Sequence, residues 1–124
     1  MNTLVGIALS GVTLIAFAQA GAGGEGLPLR RGVYVEAGMP CQAATSASRL
    51  WFGGGYVLQS PHAHCEARRH RRAGPGAYVI SLRCYEQGER AAPFDVLDHV
   101  GVISRTELSL DNDFGRFRYR WCRG

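Results

Sequence analysis

The stretch from His62 to Gly76 concentrates residue types that bind metals and anions. It reads HAHCEARRHRRAGPG, so three histidines, a cysteine and a glutamate fall within nine residues. Imidazole, thiolate and carboxylate groups are ligands for zinc and copper. The same stretch contains four arginines, whose planar guanidinium groups bind phosphate and carboxylate through paired hydrogen bonds. A metal site and an anion site are therefore the two chemistries to consider.

Folding this stretch as one arm of an antiparallel hairpin decides which side chains share a face. With a turn at Ala73 to Gly76, residues whose numbers sum to 149 face each other, so Cys65 lies opposite Cys84 and Glu66 opposite Arg83. Directly opposed residues have Cβ atoms about 4.5–5.5 Å apart, which is close to disulfide geometry. The hairpin therefore predicts a Cys65–Cys84 disulfide. Alternation places these residues together on the opposite, solvent-facing side: His62, His64, Glu66, Arg68 and His70.

The first twenty residues have the pattern of a secretory signal peptide. They contain no charged side chain, and an apolar run from Leu4 to Phe17 ends in Ala18-Gln19-Ala20. The run is short for a membrane-spanning helix, which needs roughly 20 apolar residues. An uncleaved anchor is the alternative, because no Lys or Arg precedes the run. We expect a signal peptide at 1–20, a flexible leader at 21–27 and a single β domain at 28–124, with no transmembrane segment after cleavage and a periplasmic or secreted location.

The four cysteines are Cys41, Cys65, Cys84 and Cys122, and their spacing contains no Cys-x-x-Cys motif. This spacing excludes zinc-ribbon and thioredoxin-like sites. An even number of cysteines in a short exported chain predicts two disulfides. With Cys65 bonded to Cys84, Cys41 pairs with Cys122 by elimination. The pairing Cys41–Cys65 with Cys84–Cys122 stays open, because alternation puts Cys122 on the arginine face of the last strand unless that strand ends in a bulge.

Disulfide formation would remove Cys65 from the metal hypothesis, since an oxidised sulfur is a poor ligand. His62, His64 and His70 then remain as the candidate ligands. Two histidines on one strand face bind zinc or copper if a third ligand converges on them. No nearby aspartate is placed to orient the imidazoles. We therefore expect an ordinary polar surface here, with no metal and no other cofactor.

All fourteen basic residues are arginine, and the net charge is +4. A GC-rich genome that favours arginine codons is the simpler explanation of such a count, so the composition is no evidence for a specific nucleic-acid partner. The predicted anion-binding residues form one set near the turn and one along the last strand: Arg68, Arg69, Arg71, Arg72, Arg116, Arg118 and Arg120. If the two strands were neighbours, these sets would make one cationic surface. The aromatic residues Phe117, Tyr119 and Trp121 alternate with the second set and are expected in the core rather than as a stacking platform.

Short strands and turns account for the rest of the mature chain. The pattern predicts a half-buried strand at Arg31–Ala37, one or two helical turns at 40–44, and a hairpin at 49–59 around three glycines. It predicts one or two strands at 92–102 and a last hairpin at 106–121. Seven or eight short strands with frequent turns indicate an all-β fold, a single antiparallel sheet, barrel or sandwich stabilised by two disulfides.

Four segments resemble a group of small exported bacterial proteins with disulfide-bonded β domains. They are LPLRRGVYV at 27–35, Pro40-Cys41, GAYV at 76–79 and RYRWC at 118–122. The resemblance implies export and a disulfide-bonded β domain, and it implies no activity and no functional residue. The architecture also resembles the small periplasmic inhibitors of lysozyme. The mature chain lacks their Ser-Gly-x-x-Tyr type of loop, and its positive charge would repel a basic lysozyme.

Three functions follow from these patterns. The leading hypothesis is an exported, non-enzymatic binding or structural domain whose arginine surface meets an anionic envelope component or an acidic protein. The first alternative is an inhibitor of an exported hydrolase that inserts the loop Gln87–Pro93 or Gly53–Gly55 into its target. The second alternative is a zinc- or copper-binding protein. An enzyme is the least supported, because the chain has no nucleophile elbow, no recognisable carboxylate pair and no phosphate loop.

Overall fold

Eight antiparallel strands form one sheet within residues 25–86 and 92–123, the part of the chain that the computed structural model describes. The strands are β1 (Gly32–Glu36), β2 (Arg49–Phe52), β3 (Leu58–Gln59), β4 (Ala63–Gly74), β5 (Ala77–Glu86), β6 (Phe94–Ser104), β7 (Glu107–Asn112) and β8 (Gly115–Cys122). Two short 3-10 turns, Cys41–Ala43 and Ser46–Ser48, precede β2. The predicted all-β fold is confirmed. The predicted signal peptide, the leader before Glu25 and loop residues 87–91 lie outside the described residues.

The sheet curls until its two edge strands nearly meet. Its order is β3-β2-β1-β8-β7-β6-β5-β4, so β3 and β4 are the edges. The side-chain amide of Gln59 spans them, donating to the Cys65 carbonyl (2.9 Å) and accepting from the Cys65 N–H (3.1 Å). Strand β3 has only two residues and does not form a backbone ladder with β4. The Gln59 side chain instead makes the two hydrogen bonds to Cys65 that a backbone peptide group of β3 would make. The result is a nearly closed barrel.

Alternating residues of the strands fill the barrel. The buried inner-face side chains are Tyr34, Leu50, Phe52, Leu58, Ile80, Leu82, Val96, Val100, Leu108, Leu110 and Tyr119. The segment predicted as one or two strands at 92–102 contains a single strand, β6, which begins at Phe94 and pairs with β5 through Val96 and Val100 on one side. In the hairpin at 49–59, the second strand covers only Leu58–Gln59, since the chain before it forms a loop.

One end of the barrel is closed by the chain that precedes β1. Leu27 and Leu29 are buried there, and Gly26 pairs with Gly55 of the β2–β3 loop. The Tyr34 hydroxyl donates to the Arg30 carbonyl (2.6 Å) and lies 3.1 Å from the Arg105 carbonyl oxygen, which brings this segment against the β6–β7 turn. The packed structure therefore begins before the expected start of the β domain at 28. The opposite end is formed by the β1–β2, β3–β4 and β7–β8 connections.

A second, smaller hydrophobic cluster covers the outer face of β1 and β8. It consists of Val35, Ala44 and Cys122, with Cys41 packed against them, and the predicted Cys41–Cys122 disulfide is confirmed within it. Strand β1 is consequently buried on both faces rather than on one. Cys122 does lie on the arginine face of β8 and needs no bulge, because the β1–β2 loop crosses that face. Within the described residues no helix is long and apolar enough to cross a membrane.

Candidate functional site

The β4–β5 hairpin has the predicted register at its disulfide end and a different one nearer the turn. Cys65 faces Cys84 and the two are bonded, as predicted. The pairing sum of 149 holds as far as Ala67, which faces Leu82. Arg69 then faces Ser81, so Arg68 is an extra residue on β4. Such a bulge shifts every later residue of its strand to the other face.

Because of the bulge, the histidines and arginines of the HAHCEARRHRRAGPG stretch lie on two different faces of β4. Arg68, Arg69 and Arg71 lie on the outer face, where Arg69 and Arg71 pair with Ser81 and Val79. His70 faces the inward-pointing Ile80 instead, and its ring stacks on Tyr56 with centroids 3.8 Å apart. The prediction that His70 shares the solvent face of His62, His64 and Arg68 is wrong, because the alternation that it assumed is broken at Arg68.

Of the three histidines proposed as metal ligands, His70 therefore lies on a different face from His62 and His64. His62 lies at the rim of the open barrel end, and His64 Nε2 is 3.8 Å from a Glu66 carboxylate oxygen. His70 stacks on Tyr56 from the other face. Among residues 25–86 and 92–123, no three His, Cys, Asp or Glu side chains come close enough to hold a metal ion. The described geometry thus offers no converging third ligand for His62 and His64.

The arginines of β8 are held by partners within the protein. Arg116 Nε is 3.1 Å from an Asp111 carboxylate oxygen, and Arg118 Nη2 is 2.6 Å from Glu107. The half-buried Arg120 donates to a backbone carbonyl of the β1–β2 loop (2.6 Å). Strands β7, β6 and β5 separate β8 from β4, so the condition for one continuous cationic surface is not met.

The arginines of β4 are exposed and have no acidic partner among the described residues: Arg68, Arg69, Arg71 and Arg72 have no carboxylate within ion-pair distance there. Arg72 faces Tyr78 across the hairpin, its guanidinium carbon lies 5.9 Å from the centre of the Tyr78 ring, and it donates to the Gly74 carbonyl (3.3 Å).

Arg68 and Arg69 line a shallow groove of about 430 Å³ on the outer face of the hairpin, together with Ser81, Arg83 and Asp95. We call this the arginine groove. Arg83 is already paired with Asp95 at 3.1 Å, so the unpaired cations of the groove are the two bulge arginines.

The interior holds a polar residue that the sequence analysis missed. Asp98 is only 5% exposed and points into the barrel between Val96 and Val100. Its Oδ1 accepts a hydrogen bond from Asn112 Nδ2 (3.0 Å). Burial raises the pKa of the Asp98 carboxyl, and this rise is partly offset by the Asn112 bond and the nearby His99. The sequence does indicate this residue, because Asp98 occupies an inward-facing position between Val96 and Val100 in an alternating strand.

The buried Asp98 lines a cavity of about 500 Å³. The cavity opens at the barrel end formed by the β1–β2, β3–β4 and β7–β8 connections. We call this the interior cavity. Tyr119 also lines it, and burial, followed by the charges of Glu36 and Asp98, raises the pKa of the Tyr119 hydroxyl to about 12. Two buried polar groups therefore share one largely apolar chamber.

The two loops considered for hydrolase inhibition are placed differently. The Gly53–Gly55 loop is fixed to the fold, because the Gly55 carbonyl accepts a hydrogen bond from the Leu27 N–H (2.8 Å). Most of the Gln87–Pro93 loop lies outside the described residues. The inhibitor hypothesis stays a prediction without a geometric argument of its own.

No protein-family model matches the chain, and neither a curated protein nor a solved structure matches it significantly. The resemblance to small exported bacterial proteins therefore stays a prediction. Function has to be inferred from the geometry of this fold alone.

Proposed function

We propose that the protein is an exported, non-enzymatic binding domain whose arginine groove binds phosphate or carboxylate groups of an anionic envelope component or an acidic protein. The observation that carries the proposal is the pair Arg68 and Arg69, which the bulge turns to the same outer face without an acidic partner among the described residues. Guanidinium groups bind such anions through charge-assisted hydrogen bonds, the stronger class in proteins. Arg71 extends the positive charge along the same face.

The contrast within the molecule supports this assignment. Arg116 and Arg118 of β8 are paired with carboxylates, whereas the arginines of β4 have no carboxylate partner among the described residues. Like charges side by side repel each other, and an external anion relieves that repulsion. Charged residues on an edge strand also discourage pairing between copies of a sheet, and this effect requires no ligand. The two explanations differ in whether an anion binds, and that is directly measurable.

Export is supported by two features. The two disulfides are consistent with an oxidising compartment. The pattern of residues 1–20 is that of a signal peptide, which favours a periplasmic or secreted location. An exported protein would encounter anionic components of the cell envelope and acidic exported proteins, and these are the proposed partners.

The test measures binding to three probes: a sulfated oligosaccharide, lipopolysaccharide and polyglutamate. Wild-type protein should bind at about 20 mM NaCl and lose affinity by about 300 mM, because salt screens exposed charges. The variant Arg68→Gln/Arg69→Gln should bind at least about tenfold more weakly, since one hydrogen bond to a charged group contributes about 1.5–3 kcal/mol. The responding probe distinguishes a glycan, a lipid or a protein source.

The matched control is Arg116→Gln/Arg118→Gln, which removes the same formal charge from arginines that are already paired. It should bind like the wild type. Equal weakening in both variants would mean that net charge, rather than the arginine groove, controls binding. Absence of binding to all three probes at low salt would overturn the proposed function.

A further inference from the structure

The interior cavity has the volume of a ligand-binding pocket. Protein interiors seldom contain voids much larger than a water molecule, whereas ligand cavities span about 300–1,000 Å³. This one measures about 500 Å³. Its walls are formed mainly by apolar groups, among them Leu58, Leu82, Val96, Leu110 and the Cys65–Cys84 disulfide.

Two buried polar groups of the cavity lack partners in the described part of the chain. Asp98 Oδ1 accepts from Asn112, but Oδ2 has no hydrogen-bond partner there. The Tyr119 hydroxyl has none either, although Tyr119 is only 5% exposed. Buried polar atoms nearly always have a partner, because leaving one without costs its desolvation. Both groups line the interior cavity, so a bound molecule can reach both.

From this arrangement we infer that the interior cavity binds a small apolar molecule that has an amine group. The ammonium group donates to Asp98 Oδ2 and to the Tyr119 hydroxyl oxygen, and the apolar part contacts the aliphatic walls. An ionised carboxylate accepts hydrogen bonds only, so it requires a donor. A positively charged donor also balances the charge of a carboxylate buried among mainly apolar walls, which an alcohol cannot do.

The residues at the entrance of the cavity do not favour a ligand of either charge. The exposed side chains that line the cavity include Glu86, Arg49 and His62, so acidic and basic residues are both present at the entrance. Selectivity therefore arises at depth, where a carboxylate ligand would meet Asp98 and be repelled. The net charge of +4 acts against amines, so a preference for an amine has to come from the interior cavity and not from the overall field.

The experiment compares hexylamine, 1-hexanol and hexanoate by titration calorimetry and by ligand-observed NMR at neutral pH. The three probes share one chain length and differ in the head group. Wild-type protein should bind hexylamine at least about tenfold more tightly than the other two. Asp98→Asn keeps the acceptor for Asn112 and removes the charge, so it should lose the preference for the amine while 1-hexanol binds as before.

Tyr119→Phe is the second variant, and Glu86→Gln is the control at the rim. Tyr119→Phe removes one acceptor and should weaken hexylamine binding several-fold, which keeps the inference testable should Asp98→Asn fail to fold. Glu86→Gln should leave the preference for the amine unchanged. Equal binding of the three probes, a preference that survives in Asp98→Asn, or no binding of hexylamine at millimolar concentration would each overturn the inference.

Discussion

Removing the two disulfides one at a time should destabilise the barrel by different amounts. Cys65–Cys84 closes a loop of 19 residues and Cys41–Cys122 one of 81 residues. In the chain-entropy model, closing these loops in the unfolded state contributes about 3 and about 4.5 kcal/mol. The double variant Cys41→Ala/Cys122→Ala should therefore lose more stability than Cys65→Ala/Cys84→Ala.

Native contacts act in the same direction. The Cys65–Cys84 bond lies within a hairpin whose ladder continues on both sides, so the strands remain aligned without it. The Cys41–Cys122 bond instead holds the β1–β2 loop against the outer face, where Cys122 is buried with Val35 and Ala44. Small domains are stable by only about 5–15 kcal/mol, so the loss of this bond removes a large share of the total.

The assay is urea unfolding at 25 °C, followed by the fluorescence of Trp51 and Trp121. Trp121 Nε1 donates to the Arg31 carbonyl (3.0 Å) in the folded barrel. The dependence of the unfolding free energy on urea should also rise in both variants, because an unfolded chain without the bond exposes more surface. A larger loss for Cys65→Ala/Cys84→Ala than for Cys41→Ala/Cys122→Ala would refute the reasoning, since loop length and native contacts both predict the reverse.

Three further substitutions test the polar contacts. Burial raises the pKa of Asp98, so the unfolded chain ionises first as the pH rises above the ordinary value of 3.8. Folding stability therefore falls as the pH rises from 3.8 to the raised folded pKa, and the loss persists at higher pH. Asp98→Asn should accordingly gain stability relative to the wild type as the pH rises through 3.8 in urea unfolding and keep that gain at higher pH, and a difference that does not change with pH would contradict this. Arg120→Ala should cost about 1.5–3 kcal/mol, because it removes a half-buried, charge-assisted bond to the Met39 carbonyl. Arg118→Ala, which breaks an exposed ion pair, should cost only about 0–1 kcal/mol in the same assay.

The hairpin at β4 and β5 was predictable because its constraints are local. A turn with two glycines, opposed cysteines and an opposed Glu66–Arg83 pair all select the same register. The bulge at Arg68 has no such signal, since no glycine or proline occurs between Ala67 and Ala73. The extra residue becomes visible only in the pairing with β5, so sequence alternation misplaced His70.

The order of the strands was not predictable for a different reason. Strand β8 pairs with β1, which lies more than eighty residues earlier in the chain, and nothing in either strand identifies its neighbour. The question whether the two arginine sets meet depends on that order. Asp98, by contrast, was within reach of the sequence, because it interrupts the alternating apolar face of Val96 and Val100.

The β4–β5 hairpin supports both proposed sites from opposite sides. Ser81 and Arg83 point to the arginine groove, while Leu82 and Cys84 line the interior cavity, because successive side chains of a strand point to opposite faces. Coupling between the sites would require β5 to move, and the Cys65–Cys84 bond and the ladder to β6 oppose this. An anion in the groove and an amine in the cavity should therefore bind independently, so removing the bulge arginines leaves hexylamine binding intact. Mutual weakening of the two ligands would show that the hairpin is deformable and that the two sites form one regulated unit.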